Sequence, residues 1–226
     1  MRLVFLGDSL TWGGYGGNFV AHVAQQMPDH TIINAGVGGD TVVNLLRRLD
    51  DVLETHEPDA LFVMVGGNDA TSYAMPATRG YYRKAKALEN GMVTPDEFER
   101  TYRDLLIELQ ANLVQSFVGI APTEYSRELV EARADYNQRA RAVASALNIP
   151  YLDLDILYTP EQPIERQPVN IAFIQQIGDR SQSDWADYER ERSQWGYTYT
   201  FDGMHLLPNT AEDFAKHIVS FLKDHI

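Results

Sequence analysis

The sequence predicts an α/β protein built on a parallel sheet, and three observations carry that expectation. Short apolar runs bounded by Gly or Pro alternate with longer stretches of helical periodicity, the pattern of repeated βαβ units. A length of 226 residues suits one α/β domain, or a small domain with insertions, with a core that needs no covalent staples. The first three apolar runs each end in glycine-rich turns, which parallel strands would gather along one edge of the sheet.

The first strand is expected at Arg2 to Leu6, where Leu3-Val4-Phe5-Leu6 forms an apolar run that stops at Gly7. The next strands are expected at Thr31 to Ala35, Ala60 to Val65, Ser116 to Ile120 and Pro150 to Leu154. Between the second and third, Val42, Leu45, Leu46, Leu49, Val52 and Leu53 recur on one helical face, with Asp40 as the expected cap. Thr94-Pro95-Asp96-Glu97 opens another helix, offering an N-cap hydroxyl, Pro at the first helical position and Glu three residues after the cap. A long helix is expected from Ser126 to Leu147 and a last one from Asn209 to Leu222.

Two segments break the alternation, so the chain reads as a single domain, 1–226, with insertions at 70–93 and 158–201. The first holds Arg79, Arg83, Lys84 and Lys86 against Glu89 alone, a basic patch in a chain of net charge −13. The second carries eight of the 24 aromatic residues. Both exceed ordinary connection lengths, and loops of that size tend to be functional or to hold extra structure. They could decorate the surface, form a subunit contact in a homo-oligomer, or border a pocket. On the last reading, Trp185, Trp195, Tyr197 and the Arg79 and Arg83 region would select the substrate.

Composition narrows the function. The chain has no Cys, which removes disulfides, zinc fingers, iron–sulfur clusters and thiol nucleophiles. Its acidity argues against nucleic acid, whose binding needs a Lys/Arg footprint. The N-terminal apolar run is too short for a signal peptide, and the longest one, Ala60 to Val65, falls far short of a membrane span, which needs about 20 residues. The expectation is a soluble, cytoplasmic protein.

The three strand ends carry the chemistry. They read Gly7-Asp8-Ser9-Leu10, then Gly36-Val37-Gly38-Gly39-Asp40-Thr41, then Gly66-Gly67-Asn68-Asp69. Glycine permits sharp turns and close backbone approach, exposing the Ser9 hydroxyl and freeing peptide N–H groups. A serine after a strand is by itself also suited to capping a helix, and Asn68 and Asp69 to forming a turn. Hydroxyl attack on an acyl carbon needs a base, and neutral imidazole has a fitting pKa. Of six histidines, His22, His56 and His217 fall within helical periodicity, His30 precedes a strand, and His225 is terminal. His205 follows Asp202 by three residues, a spacing that lets the carboxylate orient the ring.

Gly7-Asp8-Ser9-Leu10, Gly39, Gly66-Gly67-Asn68-Asp69 and Asp202-Gly203-Met204-His205 together resemble, in order, the four blocks of the GDSL lipolytic enzymes, also called SGNH hydrolases. Asp135-Tyr136-Asn137-Gln138 is similar to a softer pattern of that family. The resemblance implies a flavodoxin-like, three-layer α/β/α fold with a five-stranded parallel sheet. It implies Ser9 as nucleophile, His205 as general base and acid, and Asp202 as its orienter. An oxyanion hole would comprise the N–H groups of Ser9 and Gly39 and the Asn68 amide, with Asp8 and Asp69 in supporting hydrogen bonds. The chain departs from the family after His205, where Leu206-Leu207 precede Pro208 and Asp213 stands near a usual Gly, so the wall beside His205 is expected to differ.

Competing motifs fail on spacing. Gly14-Tyr15-Gly16-Gly17-Asn18-Phe19 has Phe where a dinucleotide fingerprint needs its third glycine, and no Gly-Lys-Ser/Thr follows a glycine loop. Thr11 replaces the second glycine of a Gly-x-Ser-x-Gly elbow. Neither cofactor nor metal is expected. The expected activity is hydrolysis of small or short-acyl esters, including acetyl groups on carbohydrates, through an acyl-enzyme. A lysophospholipase or thioesterase is the alternative within hydrolases; a transacylase or an inactive binding module lies outside them.

Overall fold

Alternating burial organises the computed structural model of the chain, which describes residues 1–158 and 160–226; residue 159, inside the 158–201 segment, lies outside the described residues. Five strands, β1 (Arg2–Gly7), β2 (Thr31–Gly36), β3 (Ala60–Met64), β4 (Gln115–Ile120) and β5 (Tyr151–Asp153), form one parallel sheet in the order β2-β1-β3-β4-β5. Side chains alternate between two cores, as strand geometry requires. Leu3, Phe5, Phe62 and Phe117 enter one core, while Val4, Leu6, Leu61, Val63 and Val118 enter the other.

The helices are α1 (Ser9–Trp12), α2 (Phe19–Gln26), α3 (Val42–Arg47), α4 (Leu49–His56), α5 (Gly67–Ala74), α6 (Arg79–Ala85), α7 (Pro95–Ala111), α8 (Arg127–Ala146), α9 (Leu154–Tyr158), α10 (Ile171–Ser181), α11 (Tyr188–Trp195) and α12 (Pro208–Lys223). Buried residues of α2 and α12 cover the Phe5 face, and those of α3, α4, α7 and α8 cover the Val4 face. The result is the three-layer α/β/α arrangement implied by the sequence. Strand order changes direction at β1 and β3, and the loops leaving their carboxyl ends meet there, the position at which such sheets bind ligands.

Three local expectations need correction. The apolar face from Val42 to Leu53 belongs to two helices, because Arg48 leaves helical geometry at φ −106° and ψ 9°. Its guanidinium is drawn instead to Asp40 Oδ2 at 2.9 Å and to the carbonyls of Gly7 at 3.2 Å and Ala35 at 2.8 Å. Asp40 is therefore an ion-pair partner and not the cap; at Thr41, Asn44 Oδ1 accepts the backbone N–H at 3.0 Å and the hydroxyl at 2.8 Å. The last strand is short, since Leu154 already begins α9. The Thr94 hydroxyl does accept the Glu97 N–H, at 3.2 Å, and Ser126 caps α8.

Both extra segments contain structure. Residues 70–93 hold the end of α5, a 3-10 turn at Pro76–Thr78 and α6, while 158–201 holds α10 and α11. A short antiparallel bridge, Thr200 with Leu206, brings the chain back toward the sheet edge just before α12.

Candidate active site

Ser9 opens α1 directly after β1, and it is Asp8 that caps this helix, accepting the Leu10 N–H at 3.0 Å. The serine hydroxyl is thereby left for other work. Gly7 makes the turn possible, because a Cβ there would run into Thr11 Oγ1 and the Met64 carbonyl. On the far side, Asp202-Gly203-Met204-His205 forms a tight loop whose Gly203 has φ +94°. His205 Nε2 lies 3.0 Å from Ser9 Oγ and its Nδ1 lies 2.8 Å from Asp202 Oδ2. Asp202 Oδ1 accepts the backbone N–H groups of Met204 at 2.9 Å and His205 at 2.8 Å.

The electrostatics follow from burial and pairing. Burial alone would push the Asp202 carboxyl up, but His205 and the two backbone N–H groups hold it below its ordinary range. Burial alone would push the His205 imidazolium down, but the Asp202 carboxylate and its hydrogen bond, aided by Asp8, raise its pKa above the usual 6.5. The ring is packed edge-on by Tyr15, with centroids 5.0 Å apart, and faced by Phe201 at 6.2 Å.

Gly39 and Asn68 face the same cavity as Ser9 and His205. Gly39 has φ +79°, and a Cβ there would strike the Tyr81 hydroxyl and Lys86 Cε, so two demands select glycine. Asn68 Nδ2 donates to the Asp40 carbonyl at 3.1 Å and to Asp8 Oδ2 at 3.4 Å, while Asn68 Oδ1 accepts from the Tyr82 hydroxyl at 2.8 Å. Asp69 is fully buried and turns away from the cavity, accepting the Val42 N–H at 3.0 Å, which ties α5 to the start of α3. Burial pushes its pKa up to about 7, against the Val42 N–H and the Arg133 charge.

The cavity encloses about 270 Å³. Its wall includes Phe173, Ile174 and Ile177 of α10, so the 158–201 segment does border the site. The particular residues expected there do not. Trp185 packs on Tyr15 and Phe201 and stacks under the Arg180 guanidinium at 4.0 Å. Trp195 stacks on Arg166 at 4.1 Å. Tyr197 is buried, accepting from Arg166 at 2.8 Å and donating to the Tyr125 carbonyl at 2.8 Å. Arg79 is spent on the carbonyls of Ser72 and Tyr73, and Arg83 is exposed away from the cavity lining. Aromatic stacking and backbone carbonyls claim these side chains before a substrate could. Leu206 and Leu207 are also buried off the cavity.

Glu124, Arg166 and Arg133 support the site without a signal in the sequence reading, and Asn137, part of the softer family pattern, joins them. Glu124, buried beyond β4, accepts the backbone N–H groups of Thr198, Tyr199 and Thr200 and the hydroxyls of Thr198 and Thr200, holding the stretch that leads to Asp202. Arg166 donates to the Asp202 carbonyl at 2.7 Å. Arg133 lies behind Asp8 and Gly66, donating to the carbonyls of Ala121 at 3.2 Å and Val65 at 3.3 Å. Asn137, one helical turn on, reaches the same Ala121 carbonyl at 3.1 Å, a spacing that could have flagged the pair. Among the described residues, no group of His, Asp and Glu is placed to hold a metal ion, and no helix is long and apolar enough to cross a membrane.

The chain is 29% identical over 140 residues to an acetylxylan esterase of Geobacillus stearothermophilus, covering 54% of this chain and 59% of that protein. It is 36% identical over 76 residues to an arylesterase of Vibrio mimicus, covering 30% and 38%. The chain thus aligns with less than two thirds of the length of either relative. The crystal structure of an acetyl xylan esterase superposes with a TM-score of 0.66 at 18% identity, covering 97% of this chain and 98% of the other, which establishes a shared fold. The sequence profile of the GDSL-like lipase/acylhydrolase family matches residues 5–208, and the chain belongs to that family.

Proposed function

We propose that the protein is a serine ester hydrolase working through an acyl-enzyme. The observation that carries this reading is the unbroken hydrogen-bonded chain from Ser9 Oγ through His205 to Asp202. Ser9 Oγ attacks the acyl carbonyl while His205 Nε2 takes its proton, and Asp202 steadies the imidazolium that forms. The oxyanion is met by the N–H groups of Ser9 and Gly39 and by Asn68 Nδ2. Collapse of the tetrahedral adduct expels the alcohol, which receives the proton from His205. Water then repeats the sequence on the acyl-Ser9 ester and releases the acid.

For the substrate, we infer small or short-acyl esters, with acetyl groups on carbohydrates first. The likeness to an acetylxylan esterase supports the acetyl group, and a cavity of about 270 Å³ has room for it together with part of the ring that carries it. The apolar α10 wall supports a second reading, a longer acyl chain such as a lysophospholipase or thioesterase would release. Mass spectrometry of Ser9 after brief exposure to a panel of aryl and sugar esters tests both parts. Acylation of Ser9, absent in Ser9→Ala, is expected, and the acyl group that accumulates distinguishes the two substrates. An unlabelled Ser9 in a protein that still hydrolyses esters would end the proposal.

A further inference from the structure

The basic segment 70–93 is expected from sequence to border the pocket and help select the substrate, yet the buried hydroxyl of its Tyr82 points at Asn68. The Asn68 amide has two sides, and the surroundings decide which is which. The Asp40 carbonyl and the Asp8 carboxylate oxygen accept hydrogen bonds, so the side at 3.1 and 3.4 Å from them must be the NH2 group. The carbonyl side then faces the Tyr82 hydroxyl at 2.8 Å, and that hydroxyl must donate. Tyr82 is 2% exposed, and burial pushes its pKa well up, which keeps it a proton donor wherever the protein is folded.

The same segment secures the other end of the amide. Lys86 Nζ binds Asp40 Oδ1 at 2.9 Å, and Arg48 Nε binds Asp40 Oδ2 at 2.9 Å, which fixes the residue whose carbonyl receives Asn68 Nδ2. Asn44 in turn donates to the Lys86 carbonyl at 2.9 Å, docking the segment on α3. Tyr82 and Lys86 thus grip Asn68 from opposite sides, one directly and one through Asp40.

We propose that Tyr82, with Lys86 behind Asp40, is a positioning residue that holds the Asn68 amide at the place and angle an oxyanion requires, so that segment 70–93 serves transition-state binding and not substrate selection. This rests on Asn68 acting as an oxyanion donor. The Tyr82 hydroxyl and the Asp40 carbonyl fix the amide, and its second hydrogen, in the long 3.4 Å contact with Asp8 Oδ2, is the one an oxyanion takes over without reorienting the group. Tyr82→Phe removes one oxygen and keeps the ring, so the buried volume is preserved.

The test compares the wild type, Tyr82→Phe, Asn68→Ala and the double variant on an aryl acetate, with an aryl boronic acid as a probe of the tetrahedral adduct. Asn68→Ala is expected to lower kcat by about 100 to 1000-fold. Tyr82→Phe should lower kcat about tenfold with KM within about twofold, and should weaken boronic acid inhibition by a matching factor. In the Asn68→Ala background the same substitution should have no effect. Lys86→Met, which leaves Tyr82 untouched, is the second variant and should lower kcat in the same direction, again only while Asn68 is present. Equal losses in both backgrounds, or a Tyr82→Phe enzyme as fast as wild type beside a crippled Asn68→Ala, overturn this inference alone. Full turnover in Asn68→Ala removes the oxyanion role of Asn68 and this inference with it.

Discussion

Asp202 holds both the side chain and the main chain of His205: one carboxylate oxygen lies 2.8 Å from Nδ1, and the other accepts the backbone N–H of the same histidine at 2.8 Å. Ring orientation and loop conformation are therefore fixed by a single group. With Asp202 Oδ2 as an acceptor, Nδ1 carries the hydrogen in the neutral ring, which leaves Nε2 free to receive the Ser9 proton.

The acid limb of the pH profile follows from that pairing. His205 must be neutral to act as a base, and its pKa is raised above 6.5, chiefly by Asp202 against the effect of burial. Activity should therefore fall with decreasing pH through a midpoint above 6.5. Asp202→Asn should lower kcat by up to about 10⁴-fold, through loss of the correct tautomer, and move the midpoint down. The measurement is kcat/KM against pH for both proteins; a midpoint that stays put in Asp202→Asn would count against the pairing.

Asp69 gives a stability prediction of definite sign. Its folded pKa of about 7 lies above the ordinary 3.8, so its contribution is fully present below about 3.8 and is lost as pH rises through about 7. Asp69→Asn keeps an acceptor for the Val42 N–H and removes the titration. The difference in Tm, variant minus wild type, should grow between pH 5 and 8, by about 2 to 4 °C for each kcal/mol. His205 titrates in both proteins, while Asp8, whose charge helps raise the Asp69 pKa, is relieved of that repulsion in the variant, which acts in the same direction. A difference that is flat or shrinks over this range refutes the argument.

Glu124 should behave as a structural anchor for the triad. Its carboxylate receives donors from Thr198, Tyr199 and Thr200 in the run leading to Asp202. Glu124→Ala would leave several buried donors unpaired at a cost of roughly 3 kcal/mol or more. We expect a Tm lower by about 6 to 12 °C and reduced kcat at temperatures where the protein remains folded. Unchanged Tm by calorimetry would contradict this.

The α10 wall should control acyl size. Phe173 and Ile177 line the cavity and are only partly buried, Phe173 packing on Tyr125 at the rim of the main core, so truncation widens the site chiefly at that rim. Phe173→Ala is expected to shift the optimum of an aryl ester series toward longer acyl chains by two or more carbons, leaving acetate turnover within about threefold. An unaltered chain-length profile would place the acyl group elsewhere.

The sheet, and the strand ends and loop that hold the candidate reacting groups, were legible because each rests on local rules. Leu3-Val4-Phe5-Leu6 is a two-sided buried strand by composition, and Ser9, Gly39 and Asn68 follow strands that must be parallel neighbours. His205 stood out since Asp202 lies within one turn of it. What the sequence hid depends on tertiary neighbours. The aromatic richness of 158–201 was visible, but Trp185 is kept from the cavity by packing on Tyr15, Phe201 and Arg180, a tertiary outcome that composition does not carry. The spacing of Phe173, Ile174 and Ile177 carried an amphipathic signal for α10 that aromatic content obscured. The break at Arg48 was invisible for a similar reason, as it exists to deliver a guanidinium to Asp40 and to two strand-end carbonyls.

Arg166 lies between the rings of Tyr125 at 4.3 Å and Trp195 at 4.1 Å and binds the carbonyl of Asp202. The consequence is one of inheritance. The stretch that lines the cavity and the loop that carries Asp202 share one bolt, so exchanging either alone is expected to loosen the other. A chimera that imports a foreign 158–201 region is expected to need counterparts of Tyr125, Arg166 and Trp195 as a set.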